Sequence, residues 1–149
     1  MILAIDPGNI ESAYVLMEKD TYKPIEFGKV DNHYLLKLIL ELKYEEIIVE
    51  MIASYGMAVG ATVFDTCVWI GRFIQARQCP NYEFIYRKEE KMNLCGSMKA
   101  KDSNIRQALI DRFGIVGTKK EKGWFYGFKK DIWAAYAVGT TYLDKKRSN

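Results

Sequence analysis

Three strand patterns in succession, followed by helix patterns that alternate with two more strands, restrict this chain to few folds. Short apolar runs rich in branched residues predict the strands, and polar turns separate them. The predicted strands are Ile2–Ile5, Ser12–Met17, Ile25–Val30, Ile47–Val49 and Phe84–Tyr86. Strands joined by short turns pair antiparallel, whereas strands separated by a helix run parallel. The order therefore predicts an α/β protein, a mixed five-stranded sheet with helices on both faces.

Apolar residues at helical spacing predict four helices. They begin after a cap at Asp31 or Asn32, at Met57, after a cap at Asp102 or Ser103, and near Asp131. The stretches Lys88–Ala100 and Lys119–Lys130 are polar and predict loops. The helix Met57–Arg77 is apolar over most of its circumference, which is typical of a central helix or of one covered by a partner.

The composition is that of a folded protein. The 149 residues are 49% hydrophobic and 28% charged, which predicts a single domain over residues 1–149 and excludes a disordered chain. We expect no membrane span, because apolar runs stop well short of about 20 residues, and no secretory signal, because Met1 is followed by Ile2–Ile5 with no basic region and no cleavage site. Three cysteines without a CxxC pair and one histidine predict a cytoplasmic protein without a zinc site, in which Cys67, Cys79, Cys95 and His33 are structural.

Charge is divided unevenly along the chain. Residues 1–86 contain seven basic and 12 acidic residues, whereas residues 87–149 contain 15 and seven. The second part therefore has a net charge of +8, which indicates either a surface for a polyanion or a solvated basic face.

Three acids occupy the ends of predicted elements. Asp6 ends the first strand, Glu50 ends the fourth, and Asp131 begins the last helix. If strands one and four are neighbours, Asp6 and Glu50 share one edge of the sheet, where repulsion between carboxylates favours a cation. Mg²⁺ or Mn²⁺ prefers such oxygen ligands, and two ions about 3.5–4 Å apart would support phosphodiester hydrolysis. Each acid alone also has an ordinary explanation, as a turn opener, an exposed strand end or a helix cap.

Three motifs resemble the RNase H-like nuclease superfamily, and specifically the RuvC-type Holliday junction resolvases. They are Ile5-Asp6-Pro7-Gly8, Ile48-Val49-Glu50 and the helix start Asp131-Ile132-Trp133-Ala134-Ala135-Tyr136-Ala137. The resemblance spans nearly the whole chain in the right element order, and the short length looks like the lactococcal-phage branch. It implies a metal-dependent endonuclease of DNA recombination and repair in which Asp6, Glu50 and Asp131 are catalytic and metal-binding. For a phage protein, the location would be the cytoplasm of the bacterial host.

One position departs from the pattern of the resolvases. They usually place a second acid or a histidine one helical turn after the first acid of the last helix, and this chain has Ala134 there. Three carboxylates with additional waters, a shifted helix register or a weakened enzyme would each account for the difference.

The resemblance also implies where DNA binds. The loop and helix after the fifth strand supply basic contacts to phosphates, and an aromatic residue in the loop after Glu50 stacks on bases. The residues predicted to bind DNA are Tyr55, Lys88, Lys91, Lys99, Lys101, Lys119 and Lys120, of which Lys99, Lys119 and Lys120 are chosen by charge alone. The helix Met57–Arg77 would form a homodimer interface, since a four-way junction with two-fold symmetry calls for two active sites.

Two other functions are compatible with these observations. A protein that binds junctions without cutting them is favoured by Ala134. An actin-like ATPase also begins with an acid-glycine turn between two strands, but that fold needs a second phosphate loop and a much longer chain.

Overall fold

The structure is a computed structural model that describes residues 1–78 and 81–149, so Cys79 lies outside the described residues. The strands are β1 (Ile2–Asp6), β2 (Glu11–Met17), β3 (Pro24–Asp31), β4 (Glu46–Met51) and β5 (Tyr82–Tyr86). The helices are α1 (Asn32–Glu41), α2 (Ala61–Ala76), α3 (Arg87–Cys95), α4 (Asp102–Phe113) and α5 (Asp131–Arg147). Within these residues, no helix is both long and apolar enough to cross a membrane.

The five strands form one mixed sheet in the order β3-β2-β1-β4-β5. The first three strands pair antiparallel, and β1, β4 and β5 pair parallel. This confirms the predicted sheet and makes β1 and β4 neighbours.

Side-chain alternation divides the core into two layers. On β1, Ile2 and Ala4 pack beneath α4 and α5, whereas Leu3 and Ile5 pack against α1 and α2. Successive side chains of a strand point to opposite faces, so one short apolar strand serves both layers. The helices therefore cover both faces of the sheet, as predicted.

The most deeply buried helix is α5, in which 11 residues between Ile132 and Leu143 are buried. In contrast, only Thr66, Ile70 and Phe73 are buried on α2, and this helix is therefore not central. It begins at Ala61, later than the predicted Met57, because Gly60 has an extended backbone and ends the irregular segment before it. The outer side of α2 is apolar and uncovered in the single chain: Phe64 is 60% and Val68 is 62% exposed.

The predicted loop over Lys88–Ala100 is wrong, because α3 occupies most of it. The backbone N–H of Tyr86 donates to Glu89 Oε2 at 2.8 Å, which caps the start of the helix. Gly96 ends the helix in the left-handed conformation, with a φ of 68°. The one fully buried residue of α3 is the charged Glu90, so the segment lacks the apolar periodicity from which a helix is predicted.

Candidate active site

Two of the predicted acids meet where β1 and β4 end. Ile5 lies opposite Val49 in the parallel ladder, and Asp6 and Glu50 are the next residues on the two strands. The residues two positions earlier on each strand belong to the core beneath α5. Because side chains alternate along a strand, both carboxylates face α5 at the carboxyl edge of the sheet.

The third acid, Asp131, begins α5 above the same edge. Its Oδ2 accepts a hydrogen bond from Lys29 Nζ at 2.7 Å. Lys29 lies opposite Ala13 on β2, and Ala13 lies opposite Asp6 on β1. One row across the sheet thus contains Lys29 and Asp6, and the Lys29 ammonium holds Asp131 over that row. The hydrogen bond to Asp131 raises the pKa of Lys29.

Gly139 sets how closely α5 approaches the sheet. A Cβ atom at this position would lie 2.4 Å from Met17 Sδ and 3.0 Å from Ala4 Cβ. With a Cβ atom at this position the buried Met17 side chain or the helix would have to shift, so glycine permits the observed close approach. Gly139 therefore lets the middle of α5 lie close against β1 and β2.

The turn after Asp6 is fixed by a buried polar network. The Gly8 N–H donates to Ser12 Oγ at 3.0 Å, Ser12 Oγ–H donates to Asn32 Oδ1 at 2.6 Å, and Asn32 Nδ2 donates to the Gly8 carbonyl at 2.9 Å. Ser12 and Asn32 are each 1% exposed. Fully satisfied buried networks are rigid, and this one anchors the backbone that carries Asp6.

Burial and mutual repulsion dominate the electrostatics of the three acids. Burial, followed by the negative charges of Glu50 and Asp131, raises the pKa of Asp6 from its ordinary value of 3.8 to about 8. The positive charges of Arg87 and Lys29 act in the opposite direction and are weaker. The three acids are therefore electrostatically coupled around Asp6.

We expect Asp6→Asn to stabilise the metal-free protein at pH 8. The pKa of Asp6 is higher in the fold than in the unfolded chain, so the stability contributed by the neutral carboxyl is complete below about pH 4 and is lost as the pH rises toward 8. One pKa unit corresponds to about 1.4 kcal/mol, which makes the gain at pH 8 on the order of a few kcal/mol. Thermal unfolding in EDTA between pH 5 and 8 measures it, with the exposed Asp20→Asn as control. A gain that is independent of pH would contradict this account.

Sequence reasoning missed the cation that lies among the acids on the other side. Arg87 Nη1 lies 3.9 Å from Glu50 Oε2 and 3.3 Å from Glu90 Oε1, and Arg87 Nη2 contacts Asp102. Arg87 follows β5 directly, where Met51 at the end of β4 lies opposite Tyr86. Tyr86 is not a residue that favours a helix N-cap, so the sequence carried no capping signal for the start of α3, which places Arg87 beside the acids.

The acids fit a divalent cation by their donor chemistry. They offer only carboxylate oxygens, the ligands that Mg²⁺ and Mn²⁺ prefer. Glu50 Oε2 is buried and has no hydrogen-bond partner within the described part of the chain. Across residues 1–78 and 81–149, however, no three His, Cys, Asp or Glu side chains already form a ready-made metal cage. Binding an ion therefore requires the side chains to close on it, in exchange for their contacts with Lys29 and Arg87.

A cleft of about 270 Å³ opens beside the acids between α4 and α5. Asp131, Arg87, Asp102 and Arg106 are among the residues that line it. Ala134 also lines this cleft, one helical turn after Asp131. The position thus faces the site and contributes no charged group to it.

A second depression, the basic groove, is lined by Tyr55, Arg87, Lys88, Lys91 and Met98 and has a volume of about 230 Å³. The Tyr55 ring is 66% exposed, and Lys88 Nζ lies 5.7 Å from its centroid. Arg87 lines both the groove and the cleft. The groove therefore adjoins the acids, and it joins an exposed aromatic ring to three basic side chains.

The other predicted DNA contacts lie outside the basic groove. Lys99 lines a neighbouring depression with Ser97, and Lys101 precedes α4, where its N–H donates to Asn104 Oδ1 at 2.9 Å. Lys119 and Lys120 are exposed in the segment between α4 and α5 and do not line the groove or the cleft.

This architecture is the RNase H-like fold of the RuvC type, a mixed five-stranded sheet with helices on both faces. The chain is similar to the structure of Thermus thermophilus RuvC, with 16% identity over 99% of this chain and 95% of that chain and a TM-score of 0.69. The T. thermophilus RuvC structure in complex with a Holliday junction substrate gives a TM-score of 0.73 at 14% identity, with the same coverage. The Fowlpox virus resolvase in complex with Holliday junction DNA gives 0.58 at 14% identity, over 97% and 99% of the two chains. No protein-family model and no curated protein matches the sequence.

Proposed function

We propose that residues 1–149 form a single metal-dependent nuclease domain that resolves Holliday junctions and cuts other branched DNA. The main support for the proposal is the arrangement of the three acids. Asp6 lies beside Glu50 at the carboxyl edge of the sheet, Asp131 lies above them at the start of α5, and the basic groove borders this edge. Two of the structures with a similar fold were determined with Holliday junction DNA. That similarity supports branched DNA as the substrate class.

Asp6, Glu50 and Asp131 would hold the metal, Mg²⁺ or Mn²⁺, with two ions in the proposed reaction. When bound, such ions supply Lewis acidity for the attacking water and for the leaving oxygen. The reaction hydrolyses a phosphodiester: the water oxygen bonds to phosphorus, the bond from phosphorus to the leaving deoxyribose oxygen breaks, and that oxygen takes up a proton. Lys29 pairs with Asp131 and Arg87 lies beside Glu50, and these positive charges reduce the repulsion among the carboxylates.

The basic groove would hold the DNA backbone next to the acids. Lys88 and Lys91 would contact phosphates, and Tyr55 would stack on unpaired bases at the branch point, an interaction of about 1–3 kcal/mol per base. Lys99 and Lys101 would extend this contact, and Lys119 and Lys120 would bind a more distant part of a junction arm.

A labelled four-way junction tests the proposed function. We expect the purified protein to nick it in Mn²⁺ or Mg²⁺ and not in EDTA, and to nick a linear duplex of the same sequence far more slowly. Binding is measured in parallel by gel shift in EDTA. Absence of nicks in every divalent cation, with tight junction binding retained, would refute the nuclease.

A junction-binding protein without nuclease activity is the second candidate. It is favoured by Ala134 in the cleft and by the ion pairs of Asp131 and Glu50 with basic side chains. The same assay separates the two candidates, since only the enzyme produces metal-dependent nicks.

We further propose that the protein acts as a homodimer through α2. Phe64 and Val68 lie one helical turn apart and are more than half exposed, as is Met57 before the helix. Exposed apolar patches of this kind commonly mark interfaces. An isologous dimer would present two active sites to two symmetry-related strands of a junction.

Phe64→Lys combined with Val68→Lys is expected to convert the dimer to a monomer. Each apolar side chain contributes about 1.5–3 kcal/mol when buried and occurs twice in a two-fold interface, so dimerisation should weaken at least about 100-fold. Light scattering after gel filtration measures the mass, and Ile115→Lys, at another exposed apolar residue, is the control. A monomeric wild-type protein, with and without junction DNA, would contradict the dimer.

The cellular setting stays a prediction. A chain of the lactococcal-phage branch would act in the cytoplasm of the bacterial host, where it would remove branches from replicated DNA before packaging.

A further inference from the structure

Glu90 is a buried carboxylate in addition to the three acids predicted from the sequence. It lies in the first turn of α3 and has 0% exposure. Its Oε1 accepts a hydrogen bond from Arg87 Nη1 at 3.3 Å, while its Oε2 is buried without a partner within residues 1–78 and 81–149. Buried polar atoms are nearly always paired, so an unpaired carboxylate oxygen calls for a missing partner.

The surroundings of Glu90 direct it toward the acids. Ile85 lies opposite Glu50 in the parallel ladder, and α3 begins two residues after Ile85. The first turn of α3 is thus beside the carboxyl end of β4. Arg87 Nη1 lies 3.3 Å from Glu90 Oε1 and 3.9 Å from Glu50 Oε2, so one guanidinium nitrogen contacts both carboxylates. Glu90 and Glu50 are therefore near neighbours.

The single positive charge of Arg87 is too small to balance the carboxylates around it. A single guanidinium is shared among Glu50, Glu90 and Asp102. Glu50 Oε2 is also buried without a hydrogen-bond partner among the described residues. Two neighbouring carboxylates with one unpaired oxygen each offer the oxygen donors that a hard divalent cation prefers.

We propose that Glu90 is a further ligand of the divalent-cation site, on the Glu50 side, and makes the set of acids four. The inference rests on the proposed metal-dependent function and adds a residue to it. Ala134 faces the cleft without a charge, so the fourth carboxylate comes from α3 and not from α5.

A purely structural Glu90 would behave differently on substitution. In that case its carboxyl would be protonated and would donate a hydrogen bond to Glu50. The amide of Glu90→Gln can donate the same hydrogen bond in the same volume. The variant would then retain full metal affinity, whereas loss of an anionic ligand lowers metal affinity.

Calorimetric titration of the metal-free protein with MnCl₂, without DNA, tests the assignment. We expect Glu90→Gln to lower Mn²⁺ affinity at least tenfold and Glu90→Asp to lower it less. Glu89→Gln is the matched control and should stay within twofold of the wild type. Glu89 is the adjacent residue of α3, pairs with Lys145, and caps the helix through an oxygen that Gln retains.

The outcomes separate this inference from the proposed function. Thermal unfolding in EDTA establishes which variants are folded. If only one of Glu90→Gln and Glu90→Asp is folded, its Mn²⁺ affinity alone shows whether Glu90 is a ligand. Equal Mn²⁺ affinity for the Glu90 variants and Glu89→Gln would overturn the role of Glu90 and leave the nuclease intact. A wild-type protein that binds no Mn²⁺, with or without junction DNA, would refute the metal-dependent nuclease itself.

Discussion

Asp6→Asn is expected to abolish metal-dependent nicking of a four-way junction while leaving junction binding unchanged or tighter. Asp6 lies between the other two acids, since it ends β1 beside Glu50 and shares a row of the sheet with Lys29, which pairs with Asp131. The amide removes an anionic ligand and with it several kcal/mol of transition-state stabilisation, so the rate should fall at least about 1,000-fold. The substitution also removes a negative charge that repels DNA phosphates, which is why binding should not weaken.

Single-turnover cleavage in Mn²⁺ and gel shifts in EDTA measure the two effects separately. Asp20→Asn is the matched control, because it makes the same chemical change at an exposed turn between β2 and β3. Its cleavage rate should equal that of the wild type. If Asp6→Asn cuts as fast as the parent protein, Asp6 is not part of a metal site and the assignment fails.

The sheet could be predicted because its strands carry local signals. The strand β1 is a run of apolar residues that serves both layers of the core, and polar turns follow it and β2. The placement of Asp6 beside Glu50 then follows from two facts, that β1 and β4 are adjacent and that parallel strands end at the same edge.

The rest of the site depends on contacts between distant parts of the chain. Lys29 and Asp131 are 102 residues apart in sequence, and only the row formed by β1, β2 and β3 brings Lys29 to the site. α3 was missed for a different reason. Its one buried residue is the charged Glu90, so a search for apolar periodicity predicts a solvated loop over this segment. The structure instead has a helix there, and the first turn of that helix lies beside the acids.

Helix α2 shows what a hydrophobic pattern leaves open. A helix apolar on most sides is typical of a central helix or of one covered by a partner, and α5 with its small residues takes the central position. Gly139 and the alanines of α5 allow a closer approach to the sheet than the larger side chains of α2 would. Size at the contact, and not hydrophobicity alone, decides which helix lies centrally.

Replacing Lys88 and Lys91 together by Ala is expected to weaken junction binding about 60-fold at 0.1 M salt. Both side chains line the basic groove beside Tyr55. Each phosphate contact adds about 0.9 to the slope of log affinity against log salt concentration, so the slope should become shallower by about 1.8 and each lost contact costs about eightfold at 0.1 M. Binding titrations between 50 and 300 mM salt measure both quantities.

The control for this prediction changes the same net charge elsewhere. Lys37→Ala with Lys43→Ala removes two exposed lysines in and just after α1, on the face of the sheet opposite α5. It should leave the slope unchanged, because long-range charge alone is screened within about 10 Å at this salt concentration. An equal loss of affinity in both double variants would mean that binding depends on the total charge of the protein. It would contradict the assignment of the basic groove as the surface that binds the junction.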